Sequence, residues 1–148
     1  MDIDNRISWD EYFMKIARLV AERGTCKRKK FGSVLVKDRI IVATGYNGSP
    51  KGMPHCIDIG CLMKDGHCTR TIHSEQNALI QAGARAKESI LYCTGLPCPI
   101  CFKMLIQAGI KKIIYDEDYN KKELEYWIRN GGIEVIKYNI PNVVEVFE

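Results

Sequence analysis

A single layered α/β domain is the fold class that this sequence predicts, and three observations predict it. Short β-branched runs alternate with helix-periodic segments through the second half of the chain. Strands in that order are joined by crossover helices and run parallel, at least in part. The length, 148 residues, and the 46% share of hydrophobic residues suit one core that needs no disulfide staples. No internal repeat, low-complexity tract or linker divides residues 1–148.

The elements follow in chain order. Ser8-Trp9-Asp10-Glu11 has the form of a capping box: the Ser8 hydroxyl accepts a backbone hydrogen bond, Glu11 reaches back to the Ser8 amide, and Ile7 with Tyr12 forms the staple around it. Tyr12, Ile16, Leu19 and Val20 then recur at helical spacing, so the first helix runs to about Arg23 and stops at Gly24. Val34-Leu35-Val36 and Ile40-Ile41-Val42-Ala43 flank the polar Lys37-Asp38-Arg39, the pattern of a hairpin. From Gly45 to about Arg70, Gly, Pro, Asp and Cys accumulate without periodicity; a loop that long inside a compact domain needs a function or a staple. Helices over 72–84, 98–108 (closed by Gly109) and 121–129 (ended by Asn130-Gly131-Gly132) then alternate with strands over 90–93, 110–115 and 133–137. Val143-Val144-Glu145-Val146 reads as an edge strand or an oligomer contact.

The charge balance, 22 basic against 18 acidic residues for a net +4, suits an anionic ligand without requiring one. Its sharpest local bias, Lys27-Arg28-Lys29-Lys30, has no interleaved aromatics. It reads as a solvated run or the seat of one phosphate before a nucleic-acid surface. The apolar stretches fall well short of the roughly 20 residues that span a bilayer, and Met1 to Asn5 lacks the flank and apolar run of a signal peptide. The expectation is a soluble cytoplasmic protein without a membrane partner. Seven cysteines in such a protein point to metal or catalysis ahead of disulfides, and their odd number leaves one thiol over in any all-disulfide scheme. Cys93, inside Ile90-Leu91-Tyr92-Cys93, reads as a small core residue.

Two segments carry chemistry: His73-Ser74-Glu75 and Pro97-Cys98-Pro99-Ile100-Cys101. Zinc favours sulfur and nitrogen donors in a tetrahedron, and a catalytic site keeps three protein ligands with the fourth position open. Cys98 and Cys101 at a helix start aim both sulfurs at one point, where exposed amides favour thiolates. His73, starting a facing helix, supplies the third ligand, and Glu75 projects from the first turn toward the water. Singly these motifs are weak, since His-x-Glu is common surface helix and a lone Cys-x-x-Cys is also redox or structural. In this order, on two successive strand-to-helix junctions, they match the H-x-E and P-C-x-x-C signature of zinc deaminases. Hydrolytic deamination needs water brought from a pKa of about 15.7 toward about 7, which zinc provides, and a proton carrier. Glu75 suits that task and is not itself a ligand.

With these motifs in place, the chain resembles the deoxycytidylate (dCMP) deaminases, a branch of the cytidine deaminase superfamily. The likeness runs from Cys26 through Thr44-Gly45-Tyr46-Asn47-Gly48 and both zinc segments to Asp118-Tyr119. It implies a three-layer α/β/α sandwich around a mixed five-stranded sheet, and conversion of dCMP to dUMP and ammonia, supplying the precursor of thymidylate. It implies that Asn47 contacts the deoxyribose and helps hold the pyrimidine, a role compatible with the Asn-Gly turn signal. Arg28 and Tyr119 fall where related enzymes could bind the 5′-phosphate; a solvated Arg28 is the alternative. Ser74 departs from the family's usual alanine, a small change that leaves the assignment of Glu75 in place. Members often form hexamers, and some are activated by dCTP and inhibited by dTTP, with Mg²⁺ accompanying the triphosphate. For this chain the resemblance makes them expectations.

The resemblance also implies a second, noncatalytic zinc in members with a cysteine-rich insertion. Cys26 and Cys56 match its ligand positions, and Cys61 and Cys68 complete a set of four, with His67 the main substitute. Such a closed site would tie down the long loop, because structural zinc contributes folding free energy; unpaired thiols in a mobile loop are the alternative. His55 either lines the active site or is exposed. Competing readings of the whole are dCTP deamination at the same site, a nucleic-acid adenine or cytosine deaminase suggested by the basic run, and a catalytically silent zinc module that senses nucleotides or binds a partner.

Overall fold

A computed structural model describes residues 5–138, so the expected strand or contact at 143–146 lies outside the described residues. The predicted hairpin is formed by β1 (Gly32–Lys37) and β2 (Ile40–Tyr46). Its turn, Asp38-Arg39, has φ of 52° and 63°, the left-handed pair whose twist matches that of the flanking strands. β5 (Ile90–Gly95) lies antiparallel to β1, whereas β6 (Lys112–Glu117) and then β7 (Glu134–Lys137) continue parallel to β5. The sheet order is therefore β2-β1-β5-β6-β7. The parallel neighbours are joined by α4 (Pro99–Ala108) and α5 (Lys121–Asn130), as the alternation of strands and helices requires.

Side-chain alternation along β1 decides what covers each face. Val34 and Val36, with Tyr92 and Ile114, pack on Phe13, Met14 and Ala17 of α1 (Trp9–Ala21). Leu35, with Leu91, Cys93 and Ile113, faces the other way onto Ala78 of α3 (Ser74–Ala82), Phe102 of α4 and Leu124 of α5. Phe13, Leu35, Leu91 and Phe102 are fully buried, and each such side chain contributes roughly 1.5–3 kcal/mol. The result is three layers around a mixed five-stranded sheet, and Cys93 is the core residue expected.

Helix α1 begins with half of the expected capping box, Ser8 Oγ accepting from the Glu11 amide at 3.1 Å, while the Glu11 carboxylate lies 3.7 Å from Lys15 Nζ, Ile7 and Tyr12 are both exposed, and the helix ends at Ala21. Its buried face also differs from expectation: Phe13, Met14, Ala17 and Ala21 are buried, Ile16 and Val20 sit at the margin, and Tyr12 and Leu19 are exposed. The reason is close approach. A Cβ on Gly32 would stand 2.0 Å from the Ala17 carbonyl oxygen, so a small-residue face settles onto β1. Gly45 does the same for α3 on the opposite face, where a Cβ would stand 2.3 Å from the Ser74 carbonyl oxygen and 2.5 Å from the Ala78 amide nitrogen. The first turn of α3, which carries the predicted chemistry, is thereby seated directly on the sheet.

The 45–70 segment, where the sequence shows no period, is not structureless. It holds a one-turn helix, α2 (Cys56–Ile59), and a small antiparallel hairpin of β3 (Met63–Lys64) and β4 (His67–Cys68). Asp65 and Gly66 turn that hairpin with φ of 51° and 80°. Two-residue strands are too short to show a period. Ile72, expected inside the helix, is instead held by a bridge to Gly48, so α3 starts at Ser74. Other boundaries move by about two or three residues, because helix and strand ends fray.

Candidate active site

Two helix N-termini converge on one point. Cys98 is the N-cap of α4 and Pro99 its first residue, a position where the missing N–H costs nothing. Cys101 follows in the first turn, fully buried. His73 is the N-cap of α3, its amide donating to Gln76 Oε1 at 2.9 Å. Glu75 lies in the next positions of that turn, 6% exposed. Exposed first-turn amides of both helices favour anionic groups there.

His73 Nδ1 is 3.1 Å from Cys101 Sγ and 3.5 Å from Cys98 Sγ, and the three ligand atoms lie within 4.8 Å of one another. Bonds of about 2.0 Å to nitrogen and about 2.3 Å to sulfur in a tetrahedron put N and S about 3.5 Å apart and two sulfurs about 3.8 Å apart. The donor set therefore fits zinc in type and spacing. Protonation agrees with that fit. The Cys101 thiol donates to Cys98 and holds it down to about 4 against the opposing effect of burial, with the His73 ring assisting. Cys101 is correspondingly pushed up by the same hydrogen bond and by burial. The His73 imidazole is raised by its hydrogen bond to Cys98, with burial opposing. Each of these groups binds a metal in its deprotonated form, so a bound dication displaces whatever protons the triad carries.

These groups open on a cavity of about 450 Å³, lined by His73, Glu75 and Cys98 and also by Asn47, Arg28 and Tyr119. The structure therefore brings every residue expected at base, sugar and phosphate to one space. Asn47 is buried, accepting from the Phe31 amide at 2.7 Å on Oδ1 and donating from Nδ2 to the Lys29 carbonyl at 2.8 Å. It braces the wall segment and keeps one amide hydrogen and one lone pair for a ligand. Arg28 is exposed, with Nη1 3.3 Å from Met63 Sδ and 3.5 Å from the Gly66 carbonyl oxygen. The Tyr119 hydroxyl donates to Glu123 Oε2 at 3.3 Å.

The basic run reaches the cavity through Lys29 as well as Arg28, and Phe31 is a wall residue that the sequence reading did not single out. Lys29 and Phe31 both line the cavity, the ammonium lying 5.2 Å from the ring centroid and 3.0 Å from Glu117 Oε2. Their i, i+2 spacing in the extended approach to β1 was the available signal.

A second cluster forms beside this wall. Cys26, Cys56 and Cys61 place their sulfurs within 4.8 Å of one another. Cys26 Sγ is 3.7 Å from Cys61 Sγ, and Cys68 Sγ is 3.6 Å from Cys56 Sγ, near the tetrahedral sulfur spacing of about 3.8 Å. Burial raises Cys56 to about 12 and also raises Cys61. Burial opposes ionisation of Cys26 and Cys68 too, but backbone hydrogen bonds from Lys29 and Arg28 outweigh it at Cys26, and bonds from Arg70 and Leu62 bring Cys68 to about 7. The hairpin β3–β4 brings the half-buried Cys68 to Cys56, outside the mutually close trio, and both Cys68 and the exposed His67 line the first cavity. His55 is half-buried, with Nδ1 3.1 Å from Thr25 Oγ1 at the start of α2.

The model of the cytidine and deoxycytidylate deaminase zinc-binding region matches residues 7–117, and the chain belongs to that family. It is 50% identical over 117 residues to ComE operon protein 2 of Bacillus subtilis (strain 168), covering 77% of this chain and 62% of that protein. It is 35% identical over 153 residues to deoxycytidylate deaminase of Saccharomyces cerevisiae, covering 95% and 49%. The chain thus spans about half to three fifths of the length of these curated relatives. The crystal structure of dCMP deaminase from the cyanophage S-TIM5 in complex with dCMP and dUMP aligns with a TM-score of 0.78 at 35% identity, covering 91% of this chain and 100% of that one. The sheet and its helices have the cytidine deaminase-like α/β fold. Among the described residues, no helix is long and apolar enough to cross a membrane.

Proposed function

We propose that this chain is a zinc-dependent dCMP deaminase, a hydrolase that converts dCMP and water to dUMP and ammonia and so supplies dUMP for thymidylate synthesis. The observation that carries the reading is the convergence of His73, Cys98 and Cys101 with Glu75 on one cavity. A relative crystallised with dCMP and dUMP supports the choice of ligand.

His73 Nδ1, Cys98 Sγ and Cys101 Sγ would hold the metal. When bound, zinc supplies at its open position a water of pKa near about 7, the nucleophile for C4 of the pyrimidine. The Glu75 carboxylate takes one proton from the attacking water and gives it to ring N3. It then takes the second from the new C4 hydroxyl and delivers it to the amino group, which leaves as ammonia. The remaining hydrogen-bonding capacity of Asn47 orients base and deoxyribose. Arg28 supplies charge-assisted bonds to the 5′-phosphate at the mouth, and Tyr119 closes that side.

The same reading extends to a second, structural zinc on Cys26, Cys56, Cys61 and Cys68, supported by sulfur spacings of 3.6 and 3.7 Å. It extends also to a single functional domain over 1–148 that assembles into homo-oligomers, a hexamer among them. It includes activation by dCTP and inhibition by dTTP, with Mg²⁺ accompanying the triphosphate, and work in the cytoplasm, where thiol ligands stay reduced.

The test is steady-state deamination across dCMP, dCTP, deoxycytidine, CMP, a tRNA anticodon stem-loop and single-stranded DNA. The kcat/KM for dCMP is expected to exceed each of the others by about tenfold or more, the scale of one charge-assisted contact. Preference for dCTP or a polymer would overturn the substrate, and turnover of none would favour a silent zinc module. In the same assay dTTP lowers and dCTP raises dCMP turnover; indifference to both removes the regulation.

A further inference from the structure

The Glu75 carboxylate sits at the end of a buried chain of hydroxyls. Ser74 Oγ is 2.5 Å from Glu75 Oε1 and 2.8 Å from Ser33 Oγ, and Ser33 and Ser74 are 0% and 1% exposed. The chain has a direction. A carboxylate only accepts, so the Ser74 hydroxyl commits its single proton to Oε1, and Ser33 must be the donor to Ser74 Oγ.

The sheet register explains why groups so far apart in sequence meet. Ser33 pairs with Gly45 of β2 on one side and with Cys93 of β5 on the other, a row on the face that carries α3. Gly45 presents no side chain, so the Ser74 backbone descends to the place a Cβ would crowd at 2.3 Å. The neighbouring Ser33 hydroxyl then reaches the first turn of the helix. Cys93, also fully buried, completes the row with a thiol that burial keeps protonated.

We infer that Ser33 and Ser74 are positioning residues for proton transfer: they fix Oε1 of Glu75 as a permanent acceptor and leave Oε2 as the atom that takes and delivers protons. This rests on the reading of Glu75 as the proton carrier. A carboxylate free to rotate would present either oxygen and leave the line between the attacking water and N3 in part of its orientations, and misplacement of a reacting group is costly in rate. The hydroxyl pair holds the carboxylate plane. It is a brace and not a proton wire, because its far end, Ser33, is wholly buried and has no outlet to solvent.

The test is steady-state kinetics with dCMP on zinc-loaded Ser74→Ala, Ser33→Ala and the double variant, with zinc content and thermal unfolding measured on each, beside wild type and Glu75→Gln. Ser74→Ala is expected to lower kcat about tenfold with KM nearly unchanged and zinc retained, since the contact orients a reacting group and not the substrate. Ser33→Ala is expected to lower kcat about threefold, and the double variant to match Ser74→Ala, because Ser33 acts only through Ser74. A kcat within twofold of wild type for Ser74→Ala would overturn the inference. So would multiplicative losses in the double variant, or losses that track zinc or rise in KM. If Ser74→Ala does not fold, Ser33→Ala alone decides, on the same kcat and KM criterion. Full activity of Glu75→Gln, or no dCMP turnover by wild type, would instead sink the underlying reading of the site.

Discussion

Glu75→Gln is expected to leave the chain folded and loaded with zinc while dCMP turnover falls by roughly 10³- to 10⁴-fold, toward the upper range for removal of a general acid–base group. The substitution keeps the shape of a side chain that is 6% exposed, and the glutamine oxygen still accepts the Ser74 hydroxyl. What it removes is the ability to take a proton from water and return one to the ring and the leaving amine. Because His73, Cys98 and Cys101 are untouched, metal content must stay constant while kcat collapses. The measurement is initial-rate dUMP formation beside metal analysis of the same sample. Loss of zinc in parallel with activity would assign Glu75 to the metal instead of the protons.

Removing a ligand from each cluster is expected to separate two kinds of metal. Cys98→Ala takes away the group held down to about 4, and activity should drop to background with one zinc lost per chain. Stability should change little, because α3 and α4 remain packed through Ala78, Phe102 and Leu105. Cys56→Ala has the opposite profile. Cys56 is fully buried and, with Cys26, Cys61 and Cys68, gathers the irregular segment between β2 and α3. Its loss is expected to remove the other zinc and cost on the order of 3 kcal/mol or more, roughly 6–12 °C in Tm for a domain of this size. Metal stoichiometry and thermal unfolding of the two variants check this. Equal stability losses, or wild-type stoichiometry in Cys56→Ala, would count against a structural second site.

The features legible in the sequence are those for which one local signal carries the information. Cys98 and Cys101 lie three apart at a helix start behind Pro97, so their convergence follows from the chain itself. The strands and helices after residue 90 are legible because their periods are clean. The buried face of α1 was not, since contact there depends on Ala17 and Ala21 approaching Gly32, and alanine carries little hydrophobic signal. The hairpin that brings Cys68 to Cys56 has strands of two residues, below any periodicity. Lys29 and Phe31 reach the cavity through the bracing hydrogen bonds of Asn47, a long-range relation. The pairing of Ser33 with Ser74 spans 41 positions and depends on sheet register and the missing side chain of Gly45, neither of which a linear motif records.

The central claim is that this chain hydrolyses the C4–N bond of dCMP with water activated at the His73, Cys98 and Cys101 site. Its most direct measurement is conversion of dCMP by the zinc-loaded protein in ¹⁸O-labelled water, read by mass spectrometry of the nucleotide together with ammonia release. The predicted result is dUMP carrying one heavy oxygen, one ammonia per dUMP, and loss of both products on Cys98→Ala. Unchanged dCMP, or dUMP formed without the label, would contradict it.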